Sequence, residues 1–160
     1  MGLLAMVFKN IKETDHPTDY SFVAYVTHPS WQHKIKNLKD GQKYKGEFLE
    51  EDVQYAYSDH CEFLEELCEI TKNDEVTAHL NKNSIDSFKG IPFFELIDFA
   101  DDQGVLDHET CAILYEDFKN WKTAAEKHFD KIDNNYFKSK YNDWLDVFRL
   151  GKEKNCAVVF

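Results

Sequence analysis

Short apolar runs lie near both ends of the chain, and residues with helical periodicity lie between them. This arrangement constrains the possible fold most. Residues 3–8 and 21–26 are rich in the aliphatic, β-branched and aromatic side chains that strands prefer. A third strand is expected over 47–57, where apolar residues alternate, and a last one over 156–160. We expect this last strand to pair with an N-terminal strand, so that one sheet is built from both ends.

Helical signals fill the second half of the chain. Ser58 and Asp107 are good N-cap residues in front of amphipathic stretches, and Pro92 fits the first turn of a helix that reaches about residue 100. Another amphipathic helix is expected over 136–150. The sequence therefore predicts a single α+β domain of 160 residues, with a small, mainly antiparallel sheet of N- and C-terminal strands covered by three to four helices.

Charge and composition exclude several classes of function. The net charge of −11 opposes non-specific binding to nucleic acid, and Arg149 is the only arginine that could clamp a phosphate or carboxylate with two hydrogen bonds. No apolar run approaches the ~20 residues of a membrane span. Four cysteines without a secretion signal indicate reduced thiols. We therefore expect a soluble cytoplasmic protein that does not bind membranes.

An acidic block in apolar sequence is the strongest candidate for a site. The stretch 90–104 carries Glu95, Asp98, Asp101 and Asp102 among phenylalanine, leucine and isoleucine residues. Charge in such a setting is costly unless it is paired, hydrogen-bonded or used. Neighbouring carboxylates repel, so a cation or a donor must neutralise them or one must take up a proton. The block could serve acid–base chemistry, bind a cation, or simply form the polar end of a helix.

Metal and cofactor motifs are absent from the sequence. A calcium loop registered on Gly104 would start at Phe99 and close at Thr110, where acidic ligands are required. No C-x-x-C or H-x-x-x-H spacing of the kind usual in zinc sites occurs, and no phosphate-binding glycine motif is present. We therefore expect no metal and no cofactor.

Several motifs together resemble a family of small bacterial and phage proteins to which no activity is assigned. The family begins Met-Gly-Leu, as residues 1–3 do, and carries Tyr-Ser before a helix, as at Tyr57 and Ser58. Its block Pro-Phe-Tyr-Glu-Leu-Ile-Asn-Phe-Ser-Asp-x-Glu-Gly is similar to residues 92–104. A Tyr-x-x-Trp helix and a Gly-Ala-Val-x-Phe end are echoed at 141–144 and 156–160, where Cys156 stands in place of the glycine. The resemblance implies a shared fold and a shared pocket.

Departures from the family block bear on the kind of site. Asp98 stands where the family has Asn, Ala100 replaces Ser, and Gln103 replaces Glu, whereas Glu95 and Asp101 are retained. A site that exchanges amide and carboxylate is a poor candidate for a strict metal cage.

Three functions remain open on these grounds. The first is binding of a small polar ligand, for example a nucleotide-like immune signal of a host whose defence a phage protein counters. A lysine-rich segment at 34–45, expected to be a solvated loop or an anion contact, could take its phosphate. The candidate binding residues are Tyr57, Ser58, Glu95, Asp98, Asp101 and Arg149.

The two other functions use the same acidic character differently. An acidic inhibitor would bind a basic host protein in the manner of a nucleic-acid mimic. A hydrolase would use Glu95 or Asp98 as its general base, with Ser58 or a water molecule as nucleophile.

Overall fold

The computed structural model of the protein describes residues 2–16, 18, 20–24, 34–73, 90–99 and 104–160. Within them the chain forms one antiparallel sheet of five strands and four helices. The α+β class that the sequence predicts is confirmed.

β1 is the central strand of the sheet. The strands are β1 (Gly2–Glu13), β2 (Ser21–Val23), β3 (Lys43–Ala56), β4 (Val105–Asp107) and β5 (Ala157–Val159). They lie in the order β2-β3-β1-β5-β4, and every neighbouring pair is antiparallel. The last strand pairs with the first, as predicted, so both ends of the sequence meet in the middle of the sheet.

Three long helices and one single-turn helix accompany the sheet in the described residues. They are α1 (Tyr57–Ile70), α2 (Phe94–Ile97), α3 (His108–Lys131) and α4 (Asn135–Gly151). Asp107 caps α3 as predicted, because its Oδ1 accepts the backbone N–H of Thr110 at 2.8 Å. No helix in these residues combines the length and the apolar character that crossing a membrane requires.

Some predicted boundaries are wrong. α1 begins at Tyr57, directly after β3, and its N-cap is Ala56 with no capping side chain, so Ser58 does not cap it. β4 was not predicted, since a three-residue strand is too short to show alternation. The predicted second strand is present over Ser21–Val23, and its last two residues lie outside the described residues.

Both faces of the sheet are covered near its centre. Successive side chains of a strand point to opposite faces, yet Val7 and Phe8 are both buried. Val7 belongs to the main core, which the long helices complete, whereas Phe8 belongs to a second cluster with Ile35 and Leu38. The segment 34–38 therefore covers the face of the sheet opposite the helices.

A polar network is buried in the main core. The indole N–H of Trp144 donates to the Tyr55 hydroxyl at 2.9 Å, and this hydroxyl is hydrogen-bonded to Nδ1 of His60 at 2.7 Å. Burial lowers the pKa of His60 to about 4 and raises the pKa of Tyr55. The network stays uncharged at neutral pH.

The buried His60 should make the protein sensitive to acid. The unfolded ring titrates near 6.5 and the folded ring near 4, so the unfolded state binds more protons between these values and stability falls as pH falls through that window. We expect this group to remove about 3 kcal/mol from the free energy of unfolding. Urea unfolding of wild type and His60→Asn at pH 7 and pH 4 measures it, because asparagine can still hydrogen-bond the Tyr55 hydroxyl but does not titrate. Equal losses in both proteins would contradict the assignment.

Candidate functional site

The acidic block is organised around a turn at Phe93. Phe93 has a left-handed backbone (φ 64°), its N–H donates to Oδ2 of Asp117 at 3.0 Å, and its buried ring lies 4.8 Å from that of Phe118. A left-handed residue cannot continue a right-handed helix. The helix predicted over 92–100 is therefore wrong: only the single turn α2 forms, and Asp98 is its C-cap.

A buried lysine lies against the acidic block. Lys34 is fully buried, with Nζ 3.6 Å from Oε2 of Glu95 and 3.8 Å from Oδ2 of Asp98. Its ammonium also donates to the backbone carbonyl oxygens of both residues, at 3.0 Å for Glu95. The rings of Phe94 and Phe99 lie 5.9 and 5.4 Å from Nζ, close enough for cation–π attraction. Lys34 is thus the cation that the carboxylates require.

The electrostatics of this cluster are a balance between burial and attraction. Burial lowers the pKa of Lys34 to about 8, and attraction to Glu95 and Asp98 opposes that fall. The ammonium is still mostly protonated at neutral pH, so the ion pairs form. The expectation of a solvated lysine loop is therefore wrong for Lys34, although Lys36 and Lys39 are exposed.

A second anchor holds the same segment at the start of α3. Oδ2 of Asp107 accepts the backbone N–H of Asn37 at 3.1 Å, and the hydroxyl of Thr110 donates to the carbonyl of Lys34 at 3.3 Å. Asp107 is fully buried, so the hydrogen bonds that it accepts from the backbone N–H groups of Asn37 and Thr110 are needed to compensate its charge. The contacts of Lys34 with the acidic block and the hydrogen bonds of residues 34–37 to Asp107 and Thr110 thus hold this segment against the rest of the fold.

The other predicted site residues lie on different elements. Tyr57 and Ser58 are the first residues of α1; Tyr57 packs partly against the main core, and the Ser58 hydroxyl donates to Asp59 at 3.3 Å. Arg149 lies near the end of α4, where its Nε donates to Asp146 at 3.2 Å. Glu95 and Asp98 come together at Lys34.

One predicted residue, Asp101, lies outside the described residues, as do Asp102, Ala100 and Gln103. The roles predicted for Asp101 therefore stay predictions.

A surface cleft of about 190 Å³ lies elsewhere on the molecule. Its described lining is Tyr20, Gly46, Glu47 and Phe48, and the exposed rings of Tyr20 and Phe48 are stacked with centroids 5.5 Å apart. Typical small-molecule sites are larger, about 300–1,000 Å³. No predicted site residue is part of this described lining.

A cluster of possible metal ligands joins α1 to α3. Glu66, Glu69 and His128 place one ligand atom each within 4.8 Å of one another. Spacing rules miss this group, because the histidine follows the carboxylates by about sixty residues and belongs to another helix. The expectation of no metal rested on such spacing rules and on the acidic block at 90–104, and neither covers this group.

Three polar features therefore stand out in the described chain: the buried Lys34 cluster, the carboxylates of α1, and the group around His128. The first ties two segments together, whereas the other two face solvent at least in part. No family model, curated protein or solved structure matches this chain.

Proposed function

We propose that the protein binds a basic protein partner through one side of α1. Glu62, Glu65 and Glu69 are exposed along this helix, and we term them the acidic face. The helix has 14 residues, of which five are acidic and none is lysine or arginine. This row of carboxylates, which no lysine or arginine of the described residues pairs with, is the observation that carries the proposal.

The exposed carboxylates of the other long helices, α3 and α4, include several that form ion pairs within the helix. In α3 and α4, carboxylates pair with a cation three or four residues away, which stabilises a helix modestly. These pairs are Glu116 with Lys119, Lys122 with Glu126, Lys140 with Asp143 and Arg149 with Asp146. The acidic face lacks such pairs among the described residues, so the difference is specific to α1.

The acidic face carries a cost that a partner would remove. Like charges three and four residues apart destabilise a helix by about 0.2–0.5 kcal/mol per pair. Glu69 lies in the last turn, where the negative end of the helix dipole adds repulsion. A cationic surface would reverse both effects, and the net charge of −11 would speed its approach.

The competing functions have less support from the geometry. Glu95 and Asp98, the residues offered for ligand binding or as a general base, are engaged by Lys34. The described cleft is small and its lining has one carboxylate, Glu47. Given the resemblance to phage proteins, the partner in this proposal is a basic host protein that the chain inhibits.

Charge reversal on the acidic face tests the proposal. We expect Glu62→Lys with Glu65→Lys to weaken binding to basic proteins at least about tenfold, with wild-type affinity falling as salt is added. Biolayer interferometry against a panel of purified basic DNA- and RNA-binding proteins measures this, with a chelator present throughout.

The matched control is Glu50→Lys with Asp52→Lys. Both residues are exposed on β3, and the double change alters net charge by the same amount. The control should bind nearly as wild type does. Equal weakening by both double variants would show that net charge alone acts, and no binding to any member of the panel would remove the proposal.

A further inference from the structure

We propose that Glu66, Glu69 and His128 form a binding site for a divalent transition-metal ion, with zinc the best chemical fit. Glu66 and Glu69 lie one turn apart near the end of α1, and His128 lies near the end of α3. The site goes beyond partner binding and does not depend on it.

The geometry is close to what a small ion needs. Nε2 of His128 lies 2.5 Å from Oε2 of Glu66, and all three ligand atoms lie within 4.8 Å of one another. Tetrahedral zinc bonds of about 2.1 Å place ligand atoms about 3.4 Å apart. Entry of the ion therefore needs Glu66 and His128 to part slightly and Glu69 to close in. Glu69 is exposed and has the freedom to do so.

The side chains are held differently, which suits an ion that enters from solvent. His128 and Glu66 are largely buried, with side chains 14% and 25% exposed. The imidazole lies edge-on to Phe129, at 5.5 Å between ring centroids, and Phe129 is part of the main core. Two ligands are thus anchored on packed helices, and the third lies at the opening.

The negative charge at the end of α1 favours the binding of a cation. Two carboxylates lie at the end of α1, where the helix dipole is negative and the last turn holds no basic residue. In the described part of the chain, Nε2 of His128 lies against Oε2 of Glu66, and no lysine or arginine forms an ion pair with Glu66 or Glu69. A metal ion takes the place of the proton between Nε2 and Oε2, and that proton is released to solvent.

The ligand set selects the class of ion. An imidazole nitrogen with carboxylate oxygens suits zinc and its first-row neighbours, whereas magnesium and calcium prefer oxygen ligands only. Three protein ligands leave one tetrahedral position for water.

Metal titration of the metal-free protein tests the site. Isothermal titration should show one zinc ion bound per chain, with magnesium at least about tenfold weaker. Cobalt should bind at the same site and give a visible spectrum of nitrogen and oxygen ligation. The background is Cys61→Ser, since Cys61 is an exposed thiol that could bind zinc itself.

Two variants and one control decide the outcome. His128→Ala and Glu69→Gln should each weaken zinc binding at least about tenfold, and Glu69→Gln alters an exposed residue, so its fold is expected to persist. Glu65→Gln, also exposed on α1, should bind zinc as wild type does. Absence of zinc binding, or zinc binding that both variants retain, overturns the proposal. Partner binding is measured through Glu62 and Glu65 under chelation, so failure of either proposal leaves the other standing.

Discussion

Lys34→Met should lower the free energy of unfolding by about 3 kcal/mol or more. The change keeps the apolar stem but removes the ammonium, so Glu95 and Asp98 keep their charge in a largely buried setting without their cation. Removing one partner of a buried ion pair typically costs about 3–5 kcal/mol. Urea denaturation at pH 7, followed by tryptophan fluorescence, measures the loss.

Two further variants make this expectation specific. Lys36→Met removes an exposed lysine of the same segment, paired with Glu109, and should change stability little. Adding Glu95→Gln and Asp98→Asn to Lys34→Met should recover part of the loss, because the uncompensated charges disappear. A loss for Lys34→Met no larger than that for Lys36→Met would show that the cluster does not stabilise the fold.

Tyr55→Phe should lower the free energy of unfolding by about 2–4 kcal/mol. The hydroxyl is hydrogen-bonded to two buried groups, so its loss leaves the indole N–H of Trp144 without this acceptor and Nδ1 of His60 without this hydrogen-bond partner. Each unsatisfied buried group costs about 1–3 kcal/mol. The same urea titration at pH 7 gives the value.

Tyr136→Phe is the matched control for that substitution. Its hydroxyl is exposed and donates to Asp59 at 3.1 Å, so its removal should change stability by less than about 0.5 kcal/mol. Similar values for the two tyrosines would mean that water replaces the buried hydroxyl.

Local signals predicted the elements that depend on local physics. The capping carboxylate of Asp107 is where the sequence predicts it, and β3 contains the alternating Val53 and Tyr55, although it begins at Lys43 rather than at residue 47 and Tyr57 belongs to α1. The helix predicted from Pro92 fails because contacts distant in sequence hold Phe93 in a left-handed turn: Asp117 takes its N–H and Phe118 takes its ring. Neither partner can be inferred from the residues around Pro92.

The candidate site shows the same division. The carboxylates of Glu95 and Asp98 indicated a need for a cation, which the structure meets. The identity of that cation as Lys34 depends on a pairing across about sixty residues that no spacing rule contains. The closeness of Glu66 and His128 depends likewise on how α1 packs against α3. The chemistry of each segment could thus be predicted from its residues, whereas the contacts between distant segments could not.

The central position of β1 has a consequence for how the protein is made. β1 leaves the ribosome well before β5, yet β5 is one of its two neighbours in the sheet, where Val158 pairs with Val7. Until β5 has been synthesised, one side of β1 presents unpaired backbone groups beside apolar side chains, the arrangement that favours aggregation. Such distant pairing also slows folding. The nascent chain should therefore depend on chaperones until β5 is released.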